Sequence, residues 1–399
     1  MKLDGRVDAM VAGHICLDVH PDLSGAGRRP FADSFLPGRL IASGPVSYSS
    51  GGAVANTGLA LDRLGVATCL VGKVGDDLFG QALRQVVAAH GEHLTENLQV
   101  DSSAHTSYSI IINYPGVDRI FLHHPGANDT FQAGDIPRSL LEQVRLFHFG
   151  YPPIMRSTYL NGGAVLKGII EQARRARATT SLDMAFPDPS SEAGQVDWIG
   201  ILRSVLPRVD IFMPSVEEIL FMVRPATYRD LCARAGGSNI LPLITPDLLS
   251  DLARELIGMG TRIVGLKLGY LGLYLRTSDV ESIRSMGRAR PSMPEAWADK
   301  ELWAPCFKVE VAGTTGSGDA TIAGFLVALL RDLSIEEALT MAVAVGACNV
   351  EAADALSGIR SWEETSQRVA RGWERQPIEL STSGWHYDRA HGLWRGPCI

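Results

Sequence analysis

Short apolar runs alternate with stretches of helical spacing along most of the chain. Val7 to Gly13 reads as a buried strand ending in glycine, Ala53 to Leu64 as a small-residue-rich helix, and Ala67 to Val71 as a second strand. The pattern continues with a helix at Gln81 to Ala89, a strand at Leu146 to Phe149, a helix at Val165 to Arg177, and strands at Thr180 to Asp183, Val209 to Met213 and Arg262 to Leu266. Strands that are apolar throughout and separated by helices predict an α/β fold: a mostly parallel central sheet with helices on both faces.

Two stretches break that order. Residues from about 14 to 50 are rich in Gly, Pro and Ser, and residues 103 to 124 alternate apolar and polar positions around the turn Tyr114-Pro115-Gly116-Val117-Asp118. Both read as β-hairpin material that packs together as a small sheet beside the main body. Pro225 to Pro246 and Thr277 to Pro305 read as loop-rich surface insertions. The tail, 371–399, carries Trp373, Trp385 and Trp394 without helical or strand periodicity, and is expected to dock on the surface through those indoles.

Composition narrows the function classes. Of 399 residues 46% are apolar and 20% charged, which fits a globular protein. Lys and Arg number 37 against 44 Asp and Glu, a formal balance of −7 that argues against non-specific nucleic-acid or anionic-membrane partners. The six cysteines form no C-x-x-C pair and no zinc-site spacing, the N-terminus lacks the basic and long apolar regions of a signal peptide, and no stretch approaches the ~20 apolar residues of a membrane span. The expected setting is a reducing cytoplasm.

The segment richest in chemistry is Gly313-Thr314-Thr315-Gly316-Ser317-Gly318-Asp319, followed by an apolar helix. A helix that starts after a glycine-rich turn offers unpaired N–H groups and the positive end of its dipole, a ready site for phosphate. The plainer reading is an N-cap in which Ser317 or Asp319 only satisfies those donors. A Walker A loop needs Lys after Gly318, where Asp319 stands, and a dinucleotide fingerprint needs Gly or Ala where Thr321 stands. A carboxylate beside a phosphate-binding turn repels the ligand unless it acts on an incoming hydroxyl, which makes Asp319 the leading catalytic candidate.

This segment resembles the second signature of the ribokinase-like (PfkB) carbohydrate kinases, approximately D-T-x-G-A-G-D-x-F-x-x-G, with Thr314, Gly316, Gly318, Asp319 and Gly324 in register. Further motifs follow in the family's order: Gly13-His14-Ile15-Cys16-Leu17-Asp18, Gly51-Gly52-Ala53-Val54-Ala55-Asn56, Val74-Gly75-Asp76-Asp77-Leu78-Phe79-Gly80, Gly126-Ala127-Asn128 and Lys267-Leu268-Gly269-Tyr270-Leu271-Gly272. The resemblance implies a ribokinase-like kinase body over 1–370, whose two β-rich stretches form a lid and, in family members, a lid-mediated homodimer. It implies transfer of the ATP γ-phosphoryl group, with Mg²⁺, to a hydroxyl of a sugar or sugar-like small molecule. Asp319 would accept the hydroxyl proton, and the N–H groups of Gly316, Ser317 and Gly318 would form an anion hole. Asp18, Gly51, Gly52 and Asn56 would hold the sugar, while Lys267, Gly269, Gly272 and Thr314 would serve the nucleotide. Met213-Pro214-Ser215-Val216-Glu217-Glu218 is similar to the family's N-x-x-E segment and puts Glu218 on Mg²⁺ through water.

Three departures stand out: Ser215 replaces the usual Asn, Thr321 the usual Phe, and Gly313 an Asp that elsewhere helps hold a monovalent cation. His14, His20, His123 and His124, in or beside the lid, read as ordinary polar residues without zinc spacing. Arg119 on the second lid stretch reads as a contact to substrate or phosphates, or equally as a solvated strand residue. Cys16 reads as a small buried hydrophobe. A nucleoside kinase of the same family and a non-catalytic ligand-binding protein on the same fold are the alternatives; a dinucleotide oxidoreductase is disfavoured because the first strand ends in GHICLD.

Overall fold

The computed structural model describes residues 7–26, 30–115, 120–237, 239–378, 380 and 383–397. Among them fifteen strands form two sheets. In chain order they are β1 (Ala9–Gly13), β2 (Cys16–Pro21), β3 (Val46–Gly51), β4 (Thr68–Gly75), β5 (Leu98–Asp101), β6 (Tyr108–Ile112), β7 (Ile120–His124) and β8 (Leu146–Gly150). There follow β9 (Thr179–Leu182), β10 (Ile211–Phe212), β11 (Ile263–Lys267), β12 (Leu273–Thr277), β13 (Glu301–Ala304), β14 (His386–Asp388) and β15 (Leu393–Arg395).

The large sheet runs β14-β15-β13-β12-β11-β10-β9-β8-β1-β4-β5. From β5 to β11 every pairing is parallel, and the four remaining strands join antiparallel. β1, β4, β8 and β9 are buried at every position, as strands covered by helices on both faces must be; β1 is apolar throughout, while β9 buries Thr179, Thr180 and Ser181. The helix Ser317–Leu330 is buried from Asp319 to Leu330 except at Thr321, and packs between the helices Ala53–Arg63 and Ile335–Asn349. A helix apolar on all sides belongs inside the core. Its N-terminus comes out at the carboxyl ends of the parallel strands, where an open α/β sheet leaves its crevice.

The second sheet, β3-β2-β6-β7, is the small sheet expected from the two β-rich stretches, joined through a parallel β2–β6 pairing. Its register makes it two-faced. Ser49, Asp18, Ser109 and His123 stand abreast across the four strands, and so do Tyr48, Val19, Ile110 and Leu122 one position along. Successive residues of a strand point to opposite faces, so the first row is polar and the second apolar. Arg119 lies outside the described residues.

Three segments differ from their sequence reading. Pro225–Arg234 is a helix, and Leu231, Ile240 and Leu241 are buried. Within 277–305, β13 is a fully buried sheet strand, and Ile283, Ala289 and Trp297 join the core. Neither segment is a surface loop; the helices Val280–Arg284 and Pro294–Trp297 are too short to show a period. The tail supplies β14 and β15, three residues each, also too short for alternation to register. Its indoles do pack: Trp394 stands opposite Trp303 of β13, Trp385 lies edge-on to Trp303, and Trp373 stacks on Phe307.

Trp303 joins the body to the tail, buried to 2% exposure and donating its Nε1–H to Leu271 O at 2.8 Å. Trp303→Ala is expected to lower unfolding free energy by about 3–5 kcal/mol in urea titrations. Trp303→Phe, which keeps a ring against Trp385, should cost less.

Candidate functional site

Asp319 sits in the first turn of the helix Ser317–Leu330, capped by Gly316 in the left-handed region at φ 71°. The carboxylate is 2% exposed and takes its hydrogen bonds from outside its own helix. Asn56 Nδ2 donates to Oδ2 at 3.2 Å and Thr57 Oγ1 to Oδ1 at 3.1 Å, both from the adjoining helix Ala53–Arg63. Tyr151 Oη donates to Oδ2 at 2.7 Å. Tyr151 directly follows β8 with φ 66°, a strained conformation for an aromatic residue of the kind that gathers at functional sites. Desolvation pushes its phenol well above the usual range, and the Asp319 and Asp183 carboxylates add to the shift.

Lys267, the last residue of β11, pairs with Asp183 just past β9, Nζ to Oδ1 at 2.6 Å. Burial pushes the Asp183 carboxyl up against the pull of Lys267, and Glu218 and Asp319 push the same way. Burial works against the Lys267 ammonium, but Asp183 and Glu218 more than offset it and the net shift is upward. Asp183 Oδ2 is buried without a hydrogen-bond partner. Glu218 accepts the Ser215 N–H at 2.7 Å as part of a capping box.

Two cavities meet here. The larger, about 950 Å³, lies under the polar face of the small sheet and is bordered by Asp18, Ser109 and His123 of that sheet, with Tyr151, Glu218 and Asp319 below. The smaller, about 300 Å³, is bordered by Gly269, Gly272, Phe307, Thr321 and a set of valines. Ser215, Lys267, Thr314, Ser317 and Gly318 border both. The glycine-rich turn is therefore the junction. A Cβ on Gly318 would sit 3.4 Å from Lys267 Nζ, so the bare backbone keeps this N–H surface close to an ammonium.

Within the larger cavity, burial raises the Asp18 carboxyl, and the Cys16 thiol donates to it at 3.3 Å. Ser109 Oγ and His123 Nδ1 are 3.0 Å apart. Gly51 and Asn56 do not border the cavity themselves. A Cβ on Gly51 would collide with the Asp18 carboxylate, and Asn56 acts on Asp319, leaving its Oδ1 buried and unpartnered. Gly52, at φ 86°, passes so close to the His14 carbonyl that no side chain fits. His14 is buried and its pKa is lowered well below the ordinary value, by burial and then by His123.

Several motif residues turn out to be struts. Asn128 clamps Ile15 by donating to its carbonyl at 2.9 Å and accepting its N–H at 3.2 Å. Asp77 caps the helix Leu78–Ala88 and ties it to Thr106. Gly313 lacks a carboxylate, and a Cβ there would lie 2.7 Å from Ala353 O. Sequence reasoning missed Thr57, Tyr151 and Asp183. The available signal was their position: Tyr151 and Asp183 each directly follow a buried parallel strand.

The family model described as pfkB family carbohydrate kinase matches residues 27–362. Over 357 residues the chain is 23% identical to the probable fructokinase-6, chloroplastic, of Arabidopsis thaliana, covering 84% of this chain and 80% of that protein. It is 27% identical over 317 residues to the aminoimidazole riboside kinase of Salmonella typhimurium, covering 77% of this chain and 84% of that one. The Arabidopsis thaliana ribokinase complexed with ribose and ATP shares the fold with a TM-score of 0.66 at 17% identity, over 91% of this chain and 98% of that chain.

The Lys267–Asp183 pair generates a stability expectation. Lys267→Met strands a buried carboxylate and should cost about 3–5 kcal/mol in denaturant unfolding at neutral pH. The double variant Lys267→Met, Asp183→Asn should recover more than half of that loss.

Proposed function

The chain belongs to the pfkB family of carbohydrate kinases, and from that premise we propose that it transfers the γ-phosphoryl group of ATP to a hydroxyl of a sugar-like small molecule. The observation that carries this reading is the junction of the two cavities at the turn 314–318, with Asp319 on the larger side only. The acceptor would lie in the larger cavity against Asp18 and Ser109, and the nucleotide in the smaller. Asp319 would take the hydroxyl proton. Three donors hold its carboxylate in one orientation, which suits a reaction whose catalysis is mostly positioning and charge stabilisation. The first-turn N–H groups around Ser317 and Gly318, beside Lys267, would face the phosphoryl oxygens.

Mg²⁺ would enter with the nucleotide and neutralise charge on its phosphates. The fit is supported by the partnerless Asp183 Oδ2 and by Glu218, which crowd negative charge around one ammonium. Among the described residues no group of three or more His, Cys, Asp or Glu is placed to hold a metal alone. That matches an ion shared with phosphates. Phe121, Phe186 and Met184 also border the larger cavity, which leaves apolar room beside the polar row and favours a riboside as the second reading for the acceptor. The proposed setting is a reducing cytoplasm, supported by the unpaired thiols of Cys16, Cys69, Cys232, Cys306 and Cys348.

The outward row of the small sheet supports a homodimer through the lid. Tyr48 and Leu122 are 51% and 52% exposed at its ends, an apolar stripe that a second copy would cover. Sedimentation at micromolar concentration should give a dimer, and Leu122→Asp should shift it to monomer; a monomeric parent protein would rule the dimer out.

Asp319→Asn should lower turnover at least ~100-fold with little change in ATP affinity. Tyr151→Phe, which leaves the carboxylate in place and removes one of its donors, should lose less. The experiment is an ADP-release assay over sugars, sugar acids, sugar phosphates and ribosides; turnover of none of them would remove the kinase reading.

A further inference from the structure

The family match ends at residue 362, yet the chain beyond it reaches the smaller cavity. Residues 374–376 run beside 306–308: Lys308 N–H donates to Glu374 O at 2.8 Å, Gln376 N–H to Cys306 O at 2.7 Å, and Phe307 and Arg375 form an antiparallel bridge between these bonds. Trp373 stacks on Phe307 with ring centres 4.4 Å apart and donates its Nε1–H to Lys308 O at 2.9 Å. The Arg375 guanidinium lies 4.3 Å from the Phe307 ring centre and donates to Pro305 O and Thr340 Oγ1. Phe307, a wall of the cavity, is thus fixed by two tail side chains.

Gln376 comes next and borders the cavity itself. Its backbone is anchored on Cys306, but its side-chain amide makes no hydrogen bond to the described residues. Away from the junction the lining is largely apolar, with Phe307, Val309, Val311, Val343 and Val350. A narrow apolar slot with one unpartnered amide fits a flat heterocycle whose edge offers a donor beside an acceptor. An amide presents the matching pair. Adenine carries such an edge at its N6 amino group and N7, whereas the same edge of guanine, O6 and N7, carries two acceptors.

We propose that the tail segment 373–376 is the base-reading wall of the nucleotide site, with Gln376 selecting adenine over guanine. The inference rests on the kinase reading above and assigns a recognition role to residues outside the family match. A half-buried amide without a protein partner gains its hydrogen bonds when the base enters, so its removal weakens the matching base and spares the mismatched one.

The test is calorimetric titration of the full chain with ATP and with GTP, without acceptor. The parent protein should prefer ATP. Gln376→Ala should bind ATP about 5–10-fold more weakly with little change for GTP, so that the preference collapses. Trp373→Ala, which frees Phe307, should weaken both nucleotides. Gln376→Ala with the parent ATP-to-GTP ratio would overturn the role of Gln376, and unchanged nucleotide affinity in Trp373→Ala would overturn the role of the tail as a wall. A parent protein that binds neither nucleotide would instead overturn the kinase reading, so the two failures are distinguishable.

Discussion

A carboxylate with almost no exposure persists only where donors replace the water it has lost. Asp319 has three, from the helix Ala53–Arg63 and from the connection after β8. Meeting that need fixes much else. The helix Ala53–Arg63 must lie close along the helix Ser317–Leu330, and Tyr151 must accept a strained backbone to bring its hydroxyl within reach. On the far side, Gly324 leaves no room for a Cβ against Ala342, so the neighbouring helix Ile335–Asn349 also comes close. The packing of three helices and the end of one strand is set around one charged group.

The same economy appears at the junction, where Lys267 lies among the carboxylates of Asp183, Glu218 and Asp319. The excess of negative charge raises the Lys267 ammonium and keeps it charged in a buried place. Above it the small sheet separates two solvents by register alone: one row of side chains meets the cavity, and the next row meets the outside. A one-residue slip in β2 would exchange Asp18 for an apolar neighbour and turn the sheet inside out.

The parallel sheet, the small sheet and the helix after the glycine-rich turn were legible because each rests on local pattern: unbroken apolar runs, alternation, or a turn beside a helix start. Asp319 was legible because a carboxylate there contradicts a plain phosphate loop. Its supports were not. Thr57 and Tyr151 reach it from 262 and 168 residues away, and no local pattern records such a meeting. The tail strands and the short helices of 277–305 escaped notice because three to five residues carry no period. Gly313 was legible as a missing carboxylate, but the closeness of Ala353 that forbids any side chain is a tertiary fact.

The position of the tail has a consequence for how the molecule comes into being on the ribosome. Synthesis runs from the N-terminus, and domains fold as their segments emerge. β1, β4, β8 and the small sheet are complete by residue 150, so the acceptor side can begin to assemble while most of the chain is still unmade. The wall that Phe307, Trp373 and Gln376 build together closes only when residues 373–376 have left the exit tunnel, and β13 remains an exposed sheet edge until β15 pairs with it. A nascent chain therefore holds an unguarded strand until β15 has emerged, and the smaller cavity is completed after the larger one.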